Sequence, residues 1–344
     1  MERGESLVVI IGRNRDDVYS GYFSARSRRI KNSINHARRV LLGLSLVFSL
    51  LSCEFQQTVT PTATVLPQPT ITPMPTQTSV PFEMFGQTLI NLPYCTATNP
   101  PQVLDVYFPA SGGPWPAVVY VHGGSWMHGD KSEVLMFVHE LISQGYLVVS
   151  INYRLYPAGM FPAMIQDVKC AVRFLRANAG QYNLDPDRIA AIGPSAGGHL
   201  VSLLGTSDQG AGWDVGEHLD QSSRVQAVIP MAAVTDLTRN FPNADIETMK
   251  LIGFGEHNIL QASPVNHVTA DDPPFLLIHG DQDTVVPVEQ SQVMYERLVQ
   301  ANVPAQLVIV SNAGHAFVSP NGISTPTLSE INQIIMNFLE TYLK

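Results

Sequence analysis

Ile192-Gly193-Pro194-Ser195-Ala196-Gly197-Gly198 is the stretch whose reading decides the fold of this 344-residue chain. Arg188-Ile-Ala-Ala-Ile192 leads into it as a short buried strand, and Gly198-His-Leu-Val-Ser-Leu-Leu204 leaves it as the start of a helix. A serine at the tip of a sharp strand-to-helix turn occupies a strained backbone conformation with its hydroxyl presented outward. Crowding at such a turn admits little beyond glycine two residues to either side, which accounts for Gly193 and Gly197. The helix that follows aims its N-terminal N–H groups at the point where an acyl oxygen would gather negative charge. Glycine-serine-glycine patterns recur by chance, so the weight rests on what surrounds this one.

Working outward, strands alternate with helices from about Phe82 onward. Val103–Phe108 alternates like an early edge strand, and Ala117–Val121 is a continuous apolar run that suits a strand buried on both faces. Tyr146–Ile151, Val225–Pro230, Phe275–Ile278 and Ala305–Val310 read as further strands. Phe161–Ala179, Val288–Ala301 and Leu328–Tyr342 read as helices. The pattern predicts an α/β fold with a doubly wound, mostly parallel sheet and ligands at the carboxyl ends of its strands.

Three loops carry chemistry, and each lies just past a strand. His122-Gly123-Gly124-Ser125-Trp126 holds adjacent glycines whose backbone can approach a ligand and turn its N–H groups inward; the plainer reading is a Gly-rich turn. His279-Gly-Asp281-Gln-Asp283 offers a carboxylate, and Gly314-His315 offers an imidazole. A serine hydroxyl needs an adjacent base, and the base needs an acid to hold its tautomer. The order Ser195…Asp283…His315 supplies all three, with Asp281 as the competing acid or a loop-capping carboxylate. The N–H groups of Gly123, Gly124 and Ala196 are the expected oxyanion hole. His122 and His279 are expected to bond loop backbone, and Arg154 to pair with a carboxylate such as Asp167. Trp126, Met127 and Phe161 suit a pocket wall or plain core.

These segments, with Gly129-Asp-Lys131, Asn152-Tyr-Arg-Leu155, Gly193-Pro-Ser-Ala-Gly-Gly-His-Leu200 and Ser263-Pro264, resemble the α/β-hydrolase esterases and lipases related to hormone-sensitive lipase, in particular their acetyl- and feruloyl-esterase-like branch. The resemblance spans essentially all of residues 90–344. It implies the Ser195–His315–Asp283 triad, no metal and no organic cofactor. Ser125 departs from a frequent third glycine, and Pro194 stands where a polar residue or His is usual.

The N-terminal quarter differs in kind. Arg26, Arg28, Arg29, Lys31, Arg38 and Arg39 precede the apolar run Val40–Leu51, which is too short to span a bilayer and suits a signal peptide. Leu50-Leu-Ser-Cys53 resembles a lipoprotein box with Cys53 as the lipidated residue, although leucine stands at its usual small middle position. A secretory signal cleaved nearby and an uncleaved anchor are the alternatives. The expected layout is a signal peptide over 1–53, a Thr/Pro-rich tether over 54–81 that cannot pack a core, and a hydrolase domain over 82–344. Export and a membrane-anchored position outside the cytoplasm follow from that layout. Nine of the 20 Lys+Arg and four of the 29 Asp+Glu fall in 1–52, leaving eleven basic and twenty-five acidic residues beyond it. A net charge near −14 on that remainder argues against nucleic acid as a partner. Cys95 and Cys170 are expected as unpaired buried thiols, with a disulfide permitted by export.

Ester hydrolysis of short-acyl or carbohydrate-borne substrates is the leading expectation, because only Thr235–Gln261 leaves room for a small cap. Amide hydrolysis by the same triad, and a non-catalytic binding module on the same scaffold, are the competing readings. Fold does not decide among substrates.

Overall fold

The computed structural model describes residues 8–9, 86–96, 98, 101–133, 138–239, 246–255, 257–319 and 322–344. The expected signal peptide with Cys53 and the Thr/Pro-rich tether lie outside the described residues, Val8–Val9 excepted. That pair runs parallel to Leu307 and Val308.

Eight strands form the body of the sheet: β1 (Thr88–Cys95), β2 (Gln102–Tyr107), β3 (Trp115–Val121), β4 (Leu147–Ile151), β5 (Leu184–Pro194), β6 (Ala227–Met231), β7 (Phe275–Gly280) and β8 (Ala305–Val310). Their spatial order is β1-β2-β4-β3-β5-β6-β7-β8, with Val8–Val9 beyond β8. β1 and β2 pair antiparallel, β2 meets β4 antiparallel, and every pairing from β4 to β8 is parallel. The helices are α1 (Val138–Ser143), α2 (Ala163–Ala177), α3 (Ala196–Thr206), α4 (Ile246–Ile252), α5 (Glu289–Gln300) and α6 (Leu328–Leu343).

The apolar runs noted in the sequence are apolar because helices cover both faces of the sheet. Along β3, Ala117, Val119 and Val121 enter the core shared with α2, α3 and α5, whereas Val118 and Tyr120 enter the core shared with α1 and α6. Successive residues of a strand point to opposite faces, so such a strand needs an apolar residue at every position. Helix α6 shows the complementary pattern. Thr327 and Glu330 form a capping box at its start, and Ile331, Ile335, Phe338, Leu339 and Leu343 make its buried stripe. Each such side chain contributes roughly 1.5–3 kcal/mol by leaving water.

Two expectations need correcting. Cys95, at the end of β1, and Cys170, on α2, form a disulfide with their Cα atoms 6.4 Å apart, so they are not unpaired thiols. Their 75-residue separation conceals this contact, which depends on the antiparallel edge strand being folded back beside α2. The expected edge strand, Val103–Phe108, is internal, because β1 pairs along its outer side and β4 along its inner one. β1 is a half-exposed edge with a register shift between Leu89 and Leu92, which blurs its alternation.

Candidate active site

Strand β5 runs directly into Ser195, whose backbone sits at φ 53° and ψ −120° before α3 begins. That is a sparsely populated region for a residue with a side chain, and the surroundings hold it there. The Ser195 N–H donates to Met231 O on β6 at 2.8 Å, and His199 N–H donates to Ser195 O at 2.9 Å. A Cβ on Gly197 would lie 2.0 Å from Val121 O, and one on Gly193 would lie 2.6 Å from the same oxygen. Both glycines are therefore required by the close approach of the turn to the end of β3.

The loop after β3 packs onto this turn. The position of a Gly123 Cβ is 3.1 Å from Pro194 O and 3.5 Å from Ser195 Cβ, so Gly123 lies against the serine. Gly124 has φ 107°, and Ser125 and Trp126 follow at φ 52° and 58°. Three consecutive left-handed residues, two of them not glycine, need external support. Tyr153 supplies part of it: its ring stacks on His122 at 4.4 Å, and its hydroxyl donates to His122 O at 3.1 Å. His122 Nδ1–H donates to Gly123 O at 2.7 Å, and burial pushes the His122 pKa down, keeping the ring neutral. Trp126 Nε1–H donates to His199 Nδ1 at 3.1 Å, and His199 Nε2–H donates to Ala262 O at 2.7 Å. Burial lowers the His199 pKa to about 4, so this ring remains the acceptor that the indole requires.

Behind the loop, Asn152 accepts from Lys131 N–H at 2.6 Å and donates to Asp130 Oδ2 at 2.8 Å, while Lys131 Nζ pairs with buried Asp105 at 2.9 Å. Arg154 makes the expected pair with Asp167, Nη2 to Oδ1 at 2.7 Å and Nε to Oδ2 at 2.9 Å. The Gly129-Asp-Lys and Asn-Tyr-Arg segments are thus a brace for the glycine loop. The sequence reading paired Arg154 with Asp167 but did not place Asn152 and Tyr153 behind the glycine loop. The signal was their proximity to a strand end, which cannot show what lies across the sheet.

The loops after β7 and β8 are stitched to each other. A Cβ on Gly280 would lie 2.2 Å from Ala313 O, and Gln282 N–H donates to Ala313 O at 3.0 Å. This places His315 Nδ1 2.7 Å from Asp283 Oδ2. Asp283 Oδ1 accepts from the N–H groups of Val285 and Val286 at 2.8 and 2.9 Å. Burial works against the charge on Asp283, but hydrogen bonds from His279, His315 and the backbone outweigh it and hold the pKa well below the ordinary carboxylate value. Asp281, the competing acid, is exposed and does not meet the imidazole. His279 bonds Val286 O at 2.9 Å, as expected of a ring that ties loop backbone.

Trp126 and Phe161 are buried and pack with Phe254 at 4.9 and 5.7 Å between ring centroids, so both are core. Met127 is exposed. Within the expected cap segment, α4 is anchored by the Phe161 N–H bond to Ile252 O at 2.9 Å.

With this geometry, the chain can be set beside known proteins. Residues 104–298, more than half of the chain, match the BD-FAE family model, and residues 257–340 match a TAP-like protein model. Esterase LipC of Mycobacterium tuberculosis is 31% identical over 258 residues, covering 70% of this chain and 62% of LipC. Esterase LipQ of the same organism is 33% identical, covering 60% and 52%. The chain thus spans between half and two thirds of the length of these curated relatives. Among solved structures, a truncated carbohydrate esterase from gut microbiota superposes with TM-score 0.63 at 27% identity, covering 76% of this chain and all of that one. The propionate-bound esterase Est2 of the planctomycete Thermogutta terrifontis has TM-score 0.63 at 26% identity, covering 75% and 95%. The chain belongs to the BD-FAE family and has the α/β-hydrolase fold.

Proposed function

We propose that this protein hydrolyses carboxylic esters through an acyl-enzyme on Ser195. The observation that carries the reading is the backbone of Ser195, held at φ 53° between β5 and α3 with Gly123 packed against it. The His315–Asp283 pair at 2.7 Å supplies the base that such a serine needs. In this reading Ser195 Oγ bonds to the ester carbonyl carbon as its proton passes to His315 Nε2. The carbonyl oxygen becomes an oxyanion facing the N–H groups of Gly123, Gly124 and Ala196. Collapse of the tetrahedral species breaks the carbon–oxygen bond, and His315 returns the proton to the leaving alcohol. Water then repeats the cycle on the acyl-enzyme, releasing the acid. Asp283 holds the Nδ1–H tautomer of His315 and stabilises the imidazolium.

Substrates with a short acyl group or a carbohydrate alcohol fit best. The cap segment is small, and relatives are named as a carbohydrate esterase and as a propionate-bound esterase. Lipidation at Cys53 and a tether over 54–81 are the accompanying proposal for placement outside the cytoplasm, carried by the sequence pattern alone. Hydrolysis of p-nitrophenyl acetate, butyrate and octanoate by the full chain, beside Ser195→Ala and matching anilides, tests the chemistry. The expected result is turnover of the short esters that Ser195→Ala loses. Anilide turnover exceeding ester turnover would move the assignment to amide hydrolysis, and wild-type rates no higher than those of the variant would end the hydrolase reading.

A further inference from the structure

His279 is fully buried behind the Asp283–His315 pair, and the hydrolytic cycle above gives it no task. Its Nδ1 lies 2.7 Å from Ser291 Oγ. Its Nε2 lies 2.9 Å from Val286 O and 3.3 Å from Asp283 Oδ2, the same carboxylate oxygen that meets His315. Both neighbours of Nε2 are acceptors only, so a bare Nε2 would face two lone pairs across a buried space. The arrangement is satisfied when Nε2 carries the proton, shared between Val286 O and Asp283, and Nδ1 accepts from the Ser291 hydroxyl. The two acceptors at Nε2 thereby select the tautomer, and the Ser291 hydroxyl, able to donate or accept, follows it.

We propose that His279 is a positioning residue for the Asp283–His315 pair, its Nε2–H sharing Asp283 Oδ2 and setting how much negative charge that oxygen turns toward His315. The proposal rests on the triad reading above. The titratable groups facing Asp283 are His279 and His315; its second oxygen is occupied by the Val285 and Val286 N–H groups. A donor on Oδ2 withdraws charge from the bond to His315. Its loss leaves a more negative partner, which favours the imidazolium and delays release of the proton until higher pH. The base form needed to activate Ser195 then becomes available only at higher pH.

The test is the pH dependence of kcat/KM for p-nitrophenyl butyrate on the full chain, with Tm recorded for each variant. His279→Phe keeps the ring shape without a donor, and His279→Gln restores an Nε2 donor. The acid limb of His279→Phe is expected to move up by about half a pH unit with KM little changed, while His279→Gln returns to the wild-type limb. An unmoved limb in a folded His279→Phe, whatever its Tm, overturns the proposal. Should His279→Phe fail to fold, His279→Met fills the same space without a donor and is expected to shift the limb the same way; an unmoved limb there is equally decisive. Ser195→Ala separates the two levels. If it retains wild-type turnover, the triad falls and this proposal with it. If it is inactive and the limb stays fixed in the His279 variant, only the role of His279 falls.

Discussion

Gly123→Ala tests the proposed oxyanion loop separately from the stability of the fold. The Gly123 backbone lies outside the left-handed region, so alanine is compatible with its conformation. The added Cβ would meet Pro194 O at 3.1 Å and Ser195 Cβ at 3.5 Å, the first contact being tighter than nine in ten real Cβ contacts. Relief requires a movement of about 0.3 Å between the glycine loop and the serine turn, which is small for packing. It is large for an oxyanion bond, whose useful range is about 2.7–3.1 Å. Complete loss of one oxyanion donor costs about 10²- to 10³-fold in kcat. A partial displacement should therefore cost about 10- to 100-fold, or roughly 1.4–2.7 kcal/mol in the barrier. Steady-state kinetics on p-nitrophenyl butyrate and a thermal melt check both halves: kcat falls, KM changes little and Tm shifts by a few degrees. Gly197→Ala is the contrast, because its Cβ would stand 2.0 Å from Val121 O and the backbone there cannot yield. That variant should lose folded protein rather than turnover. Wild-type kcat in Gly123→Ala would refute the placement of the oxyanion site.

Asp283→Asn should lower kcat by about 10³- to 10⁴-fold through the wrong His315 tautomer, measured beside Ser195→Ala. The folded pKa of Asp283 is depressed below the unfolded value of about 3.9. Its stabilisation is therefore present above that value and lost as pH falls toward the folded pKa, so wild-type Tm should drop more between pH 5 and pH 3 than that of Asp283→Asn. Arg154→Ala leaves Asp167, with a side chain 2% exposed, buried without its cation. The cost should be about 3 kcal/mol, read from urea unfolding, and Asp167→Asn in the same chain should recover part of it. Wild-type stability in Arg154→Ala alone would refute the cost assigned to the unpaired Asp167. Cys95→Ser with Cys170→Ser opens a 75-residue loop and should cost up to about 4 kcal/mol, matched by dithiothreitol on the wild type and absent from the variant.

Much of this protein was legible because its signals are local. The Gly193–Gly197 spacing around Ser195 reports crowding within a single turn. The uninterrupted apolar runs of β3 and β7 report burial on both faces, whatever covers them. The order of the three loops follows from the chain running through the sheet once. Boundaries shifted where a neighbour extended an element: β5 begins at Leu184 because Trp115 pairs with it across a register shift, whereas its apolar character starts only later.

That Asp283 rather than Asp281 meets His315 depends on tertiary structure. Both carboxylates sit in one short loop, and only the Gly280–Ala313 approach turns one of them toward His315. Tertiary structure likewise decided the Cys95–Cys170 disulfide, the Tyr153 brace and the second imidazole on Asp283. Each of these joins elements distant in sequence, and contact across space depends on sheet order and side-chain direction, which no local pattern of residues encodes. The sequence by itself determined the doubly wound fold and the chemical types at the carboxyl edge of the sheet, because backbone crowding, strand burial and chain order act within each element. The partners that brace and polarise those groups were set only by packing.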